Sequence, residues 1–296
     1  MTFLPFGFQP QALITPLGKL IYYTPYAEIW GQPKHSQKFL FLHSLGGGSS
    51  QVEWAGIYPA FASRYRIYVP DLIGWGASDH PVRDYHAADY WQMVELLIEK
   101  IGAPVAVIAS SLTAGLVVRL AIQKPELFSG LCLVGPTGFS DFGNDYGQGL
   151  AAQLAGTPGL DQIIYTLGAG NALAVRNFLE QFIFAQPERL TPATVNAYLN
   201  SAQEPGAEFA ALASLRGDLC FDLSRYLGQL AVPSIFIWGE ASKFNSVELG
   251  HRLAALNPQA IQGFFTVPTT GVLPHLEFPA SVIALIEAHF LPLISK

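Results

Sequence analysis

Two adjacent serines, Ser110 and Ser111, close the apolar run in PVAVIASSLTAG at residues 104–115. A serine at the end of a buried strand is a residue type that acyl transfer can use as nucleophile. Such a nucleophile sits on a sharp strand-to-helix turn with a strained backbone, and the residues two positions to either side must be small for the turn to close. Ser111 has Ala109 and Thr113 there, whereas Ser110 has Ile108 and Leu112. Ser111 is therefore the candidate nucleophile. Its hydroxyl is weak at neutral pH until a base takes its proton, so the chemistry turns on an imidazole and a carboxylate elsewhere in the chain.

The elements that must position Ser111 are legible as an alternation. The runs KFLFLH (38–43), RIYVPD (66–71), PVAVIAS (104–110), GLCLVGP (130–136), PSIFIWG (233–239) and GFFTVP (263–268) predict buried parallel strands. Between them, YHAADYWQMVELLIEKIG has the apolar spacing of a helix closing at Gly102. ALITPLGKLIYYTP predicts an antiparallel hairpin at one edge. Together these predict an α/β fold, a mostly parallel doubly wound sheet. The alternation breaks from Thr137 to Gln229, where NALAVRNFLEQFIFA and TPATVNAYLNSA follow one another without a strand. This predicts a core of residues 1–136 and 230–296 with a helical cap, 137–229, above the C-terminal strand ends where ligands bind in such sheets. Phe139, Phe142, Tyr146, Phe178 and Phe182 are candidates to line an apolar pocket over Ser111.

Composition narrows the partners. Half of the 296 residues are hydrophobic and only 13% are charged, with a mean hydropathy of +0.30, which indicates a well-buried core. A net charge of −6 without any block of Lys or Arg disfavours nucleic acid and anionic membranes and leaves a small molecule as the expected ligand. Ile101 to Val118 is uncharged over 18 residues, but Pro104 and the Ser-Ser-Leu-Thr interruption predict strand then helix, with no membrane span. The N-terminus carries no basic side chain before Lys19, which predicts a cytoplasmic protein without a secretory leader. Cys132 and Cys220 are expected to be buried thiols, and no HExxH, phosphate loop or dinucleotide fingerprint is present, so no metal and no cofactor is expected.

With Ser111 placed, the chain resembles the α/β-hydrolase superfamily, in particular its members with a helical cap. ASSLT stands where that family has G-x-S-x-G. FLHSLGGGSS resembles its His-Gly loop, and DLIGWGASD its Asp-x-x-Gly-x-Gly-x-Ser segment. The resemblance covers nearly the whole chain. It implies an oxyanion hole made by the backbone N–H groups of Leu45 and Leu112, with Ser44 and Thr113 in place of family glycines. It also implies an acid in WGEAS, where Ser242 stands, and a histidine in GVLPHLE, where Val272 stands.

Both triad partners are thus vacated, and the expected protein is a capped, ligand-binding relative that is non-catalytic or very weakly active, with a protein partner possible for a receptor or scaffold. The alternative is a serine hydrolase acting through Ser111 on an ester, amide or similar bond with an unconventional base. His275 is the candidate base and Asp141, in SDFGND, the candidate acid, although the simpler expectation is a helix-fixing histidine and a surface-loop aspartate. Glu240 is expected to be a solvated or helix-capping carboxylate, His43 to be structural, and His80 and His86 to be exposed.

Overall fold

The central apolar runs, such as VAVIAS at 105–110 and SIFIWG at 234–239, become strands because they are buried on both faces, a condition that a sheet covered by helices on two sides provides. The computed structural model describes residues 3–144, 146–149, 152–153, 157, 165–168 and 170–295. Its strands are β1 (Phe8–Thr15), β2 (Gly18–Pro25), β3 (Lys38–Leu42), β4 (Arg66–Pro70), β5 (Val105–Ser110), β6 (Phe128–Val134), β7 (Ser234–Gly239) and β8 (Ile261–Val267). They form one sheet in the order β1-β2-β4-β3-β5-β6-β7-β8. From β4 to β8 all pairings are parallel, while the hairpin β1–β2 joins antiparallel at the β4 edge. β6 and β8 each begin two residues before the apolar run read from sequence.

One face of the sheet packs Leu40, Leu42, Val105 and Val107 with the helices Ala87–Ile101 and Ser111–Gln123. The other packs Phe39, Phe41, Ile108 and Ile235 with Trp54, Tyr58 and the C-terminal helices. Between β6 and β7 the described residues form no strand and include the helices Ala172–Phe178, Pro192–Ala202 and Ala207–Arg216, with a π-turn at Leu179–Ile183. A third apolar cluster lies in this insertion, and two residues from beyond β8, Val272 and Leu273, belong to it. No described helix is long and apolar enough to cross a membrane.

Candidate functional site at the end of β5

β5 ends at Ser110 and the helix starts at once with Ser111, so the turn has no spare residue in which to relax. Ser110 is extended at φ −123° and its side chain is buried, with no hydrogen bond to its hydroxyl. Ser111 has φ +55°, a left-handed conformation that costs a non-glycine residue roughly 1–3 kcal/mol. It is half-buried, so solvent reaches the residue. The sequence distinction between the two serines corresponds to this geometry: one points into the core and the other is held on the strained turn.

Thr113 stands where the resemblance puts a glycine, and it is buried. Its hydroxyl donates to the His43 carbonyl at 2.7 Å and ties the elbow to the loop after β3. In that loop the Leu72 N–H donates to His43 Nε2 at 2.9 Å, which leaves the ring proton on Nδ1, where it donates to the Ser44 carbonyl at 2.6 Å. His43 is therefore the structural residue expected. The N–H groups of Leu45 and Leu112 have no hydrogen-bond partner among the described residues.

Neutral residues occupy the two positions where the resemblance puts an acid and a histidine. The Ser242 hydroxyl donates to Asn245 Oδ1 at 2.6 Å, and Asn245 Nδ2 donates to the Gly135 carbonyl at 3.1 Å. Val272 is buried, packs with Val175, Leu179 and Ile183, and donates its N–H to the Ile183 carbonyl at 2.9 Å. This close approach needs Gly271: a Cβ there would lie 2.1 Å from the same Ile183 oxygen.

Neither substitute from the sequence is hydrogen-bonded to Ser111. His275 is fully buried, stacks on Trp54 with ring centroids 3.8 Å apart, and has no partner at either nitrogen; burial lowers its pKa to about 3. Asp141 is no surface aspartate. It is 2% exposed and accepts from Thr137 Oγ1 at 2.6 Å, the Gly138 N–H at 3.1 Å and the Leu223 N–H at 2.8 Å, with burial raising its carboxyl pKa. Those donors make it a clamp between the loop after β6 and residue 223. Glu240 is exposed and accepts from the Thr269 N–H. His86 is exposed, but His80 is half-buried, and its pKa is lowered by desolvation. Cys132 is buried, whereas Cys220 is half-buried; burial pushes the Cys220 thiol up to about 12.

The five aromatic candidates form two groups. Phe139 packs near Tyr146 at 5.6 Å, and Phe142 lies under the Arg252 guanidinium. Phe178 and Phe182 are 36% and 42% exposed and continue through Phe182 onto exposed Phe244. Two cavities, of about 150 Å³ beside Val52 and Leu276 and about 470 Å³ beside Tyr165 and Glu204, include neither Ser111 nor these rings.

Two buried carboxylates escaped the sequence reading. Glu277 accepts from the Gly271 N–H at 2.7 Å, the Gln186 N–H at 2.8 Å and the Ala185 N–H at 3.0 Å, with Arg189 at 3.5 Å. Glu53 lies beneath the loop after β3 and binds Ser44 and Tyr198. A lone glutamate inside the apolar words QVEW and PHLEF is the signal that was present.

Residues 39–285 match the model of the alpha/beta hydrolase family. The chain belongs to that family. An uncharacterised protein of Mycobacterium tuberculosis is 26% identical over 255 residues, covering 84% of this chain and 73% of that protein. A pimeloyl-(acyl-carrier protein) methyl ester esterase of Nitrosomonas europaea is 25% identical over 248 residues, 79% of this chain and 89% of the esterase. Among solved structures, a haloalkane dehalogenase from Bradyrhizobium elkani superposes with a TM-score of 0.78 at 17% identity, covering 97% of this chain and 99% of that one. At that identity the likeness is one of fold. Within the alpha/beta hydrolase family, then, this chain carries the strained serine and two free amides, with a Ser-Asn pair and a valine where the resemblance puts acid and histidine.

Proposed function

We propose that this member of the family binds a small, largely apolar carbonyl compound at the Ser111 elbow and does not turn it over at hydrolase rates. The observation that carries this reading is Val272. An apolar residue, packed against the insertion, stands where the resemblance puts the imidazole that would take the Ser111 proton. Loss of a triad member typically lowers kcat by about 10⁴ to 10⁶, and what survives comes from oxyanion stabilisation and binding. The free Leu45 and Leu112 amides support retention of that second part, because a carbonyl oxygen there would satisfy both. The ligand class follows from the same two donors, from the low charge of the chain and from the ester named for the Nitrosomonas relative.

Hydrolysis with His275 as base has less support, because a stacked, unbonded imidazole with a pKa of about 3 is a poor proton acceptor at neutral pH. The test is a fluorophosphonate probe, which reacts with activated serine hydroxyls. The protein is expected to stay unlabelled under conditions that fully label an ordinary serine hydrolase. Rapid labelling that disappears in Ser111→Ala overturns the proposal.

A further inference from the structure

Where the family has a glycine after its loop histidine, both donors of Ser44 go to one buried carboxylate. The Ser44 N–H reaches Glu53 Oε2 at 2.8 Å and the Ser44 hydroxyl reaches Oε1 at 2.8 Å. Tyr198, from the insertion helix Pro192–Ala202, donates its hydroxyl to the same Oε1 at 3.0 Å. Glu53 is 1% exposed, and no cation is among its partners. A carboxylate that deep is tolerated only when fixed donors surround its oxygens, so the two Ser44 bonds are held tightly and hold Ser44 in return.

Ser44 is also half of the peptide that carries the Leu45 N–H. That peptide is planar, and its N–H points opposite to its C=O. The C=O is fixed by His43 Nδ1–H, and the start of Ser44 is fixed by Glu53, so the direction of the Leu45 N–H is set from both sides. The Ser49 hydroxyl, bonded to Ser44 Oγ at 2.9 Å and accepting from the Gly46 N–H at 3.1 Å, closes the far side of the turn.

We propose that Glu53 is a positioning residue that aims the Leu45 N–H at a ligand's carbonyl oxygen by holding the Ser44 N–H. This rests on the reading of Leu45 and Leu112 as the donors for that oxygen. Glu53 does not touch the ligand; it acts through the Ser44–Leu45 peptide.

The test uses Ser111→Cys in a Cys220→Ser background, Cys132 being fully buried. A thiol reacts without an assisting imidazole, which separates this experiment from turnover. With p-nitrophenyl acetate the thiol loses its proton to solvent, a sulfur–carbon bond forms and p-nitrophenolate leaves, through a tetrahedral oxyanion. With iodoacetamide the thiol displaces iodide and no oxyanion forms. The ratio of the two rates therefore reads the oxyanion donors and is insensitive to access or thiol ionisation. Removing one such donor costs about 10² to 10³, so misaiming it in Glu53→Met or Glu53→Ala is expected to lower the ratio by about 10-fold or more with alkylation unchanged. Glu53→Gln keeps an oxygen for the Ser44 N–H, and its NH₂ donates to hydroxyls that can turn to accept, so it retains most of the ratio. A ratio unchanged in the folded Met and Ala variants, or both rates falling in parallel, overturns the proposal. A ratio in the Ser111→Cys parent no higher than that of free cysteine overturns the oxyanion reading itself, and this assignment with it.

Discussion

An imidazole sealed against the face of Trp54, with neither ring nitrogen bonded, stays neutral far into the acid range. For His275 the folded pKa is about 3 against an ordinary value of 6.5. Above pH 6.5 both folded and unfolded forms are neutral and the residue adds no pH dependence. Below it the unfolded chain takes a proton that the folded chain refuses, so stability falls by up to about 1.4 kcal/mol per unit until the folded pKa is reached. His275→Phe, which keeps a ring against Trp54, is expected to flatten the stability profile between about pH 6.5 and 3 when urea unfolding is compared with the parent. An unchanged slope shows that the buried ring accepts the proton. Asp141 illustrates the limit of reading at this scale: SDFGND has the composition of an exposed turn, and nothing local reveals the Leu223 N–H, 82 positions away, that draws the carboxylate inside. Glu53 shows the same limit: QVEW marks a glutamate in apolar company, but not that its donors are the nearby Ser44 and Tyr198, 145 positions away.

At the scale of elements, the central strands were readable because burial on both faces leaves an uninterrupted apolar run, as in VAVIAS of β5, and the hairpin, whose outer arm is largely exposed, because Pro-Leu-Gly punctuates two extended arms. What could not be read was how the insertion docks. It is tied down by backbone amides, which carry no sequence signature: Val272 to Ile183, and Gly271, Ala185 and Gln186 to the Glu277 carboxylate. Glu277→Gln leaves one acceptor oxygen for three amide donors. Buried groups that lose their partners cost about 1–3 kcal/mol, which corresponds to local opening increased roughly 5- to 150-fold. Hydrogen exchange is expected to quicken by that factor at Ala185, Gln186, Gly271 and Val272 while the β5 amides keep their rates. Uniform acceleration across the sheet contradicts a local clamp.

Hydrolysis in this fold belongs to no single residue, since it needs groups from the ends of β5, β7 and β8 to converge, and the whole molecule decides whether they can be restored. At the first, Ser111 has φ +55° and the Leu45 and Leu112 amides have no partner among the described residues. The third requires Val272→His, which pushes a polar ring among Val175, Leu179 and Ile183 at a cost of about 1–3 kcal/mol. The second requires Ser242→Asp, and here the structure adds a condition absent from the sequence argument. The new carboxylate would face Asn245 Oδ1, which now accepts from the Ser242 hydroxyl at 2.6 Å. Asn245 cannot turn its NH₂ toward the carboxylate without pointing an oxygen at the Gly135 carbonyl that Nδ2 now satisfies. Restoring the pair therefore takes a third change, Asn245→Ser, whose hydroxyl can donate to the aspartate. The triple variant is expected to gain Ser111-dependent hydrolysis of p-nitrophenyl acetate by about 10² to 10⁴ over the parent, the usual contribution of a positioned acid-base pair. The Val272→His/Ser242→Asp pair should give less, and Val272→His alone least, because an imidazole without its carboxylate is neither oriented nor stabilised when charged. Turnover is measured against the same variants carrying Ser111→Ala, after thermal unfolding has shown that each is folded. A folded triple variant with no Ser111-dependent turnover means that an imidazole at position 272 does not reach the hydroxyl, and the assignment of Val272 and Ser242 as the vacated positions is then wrong.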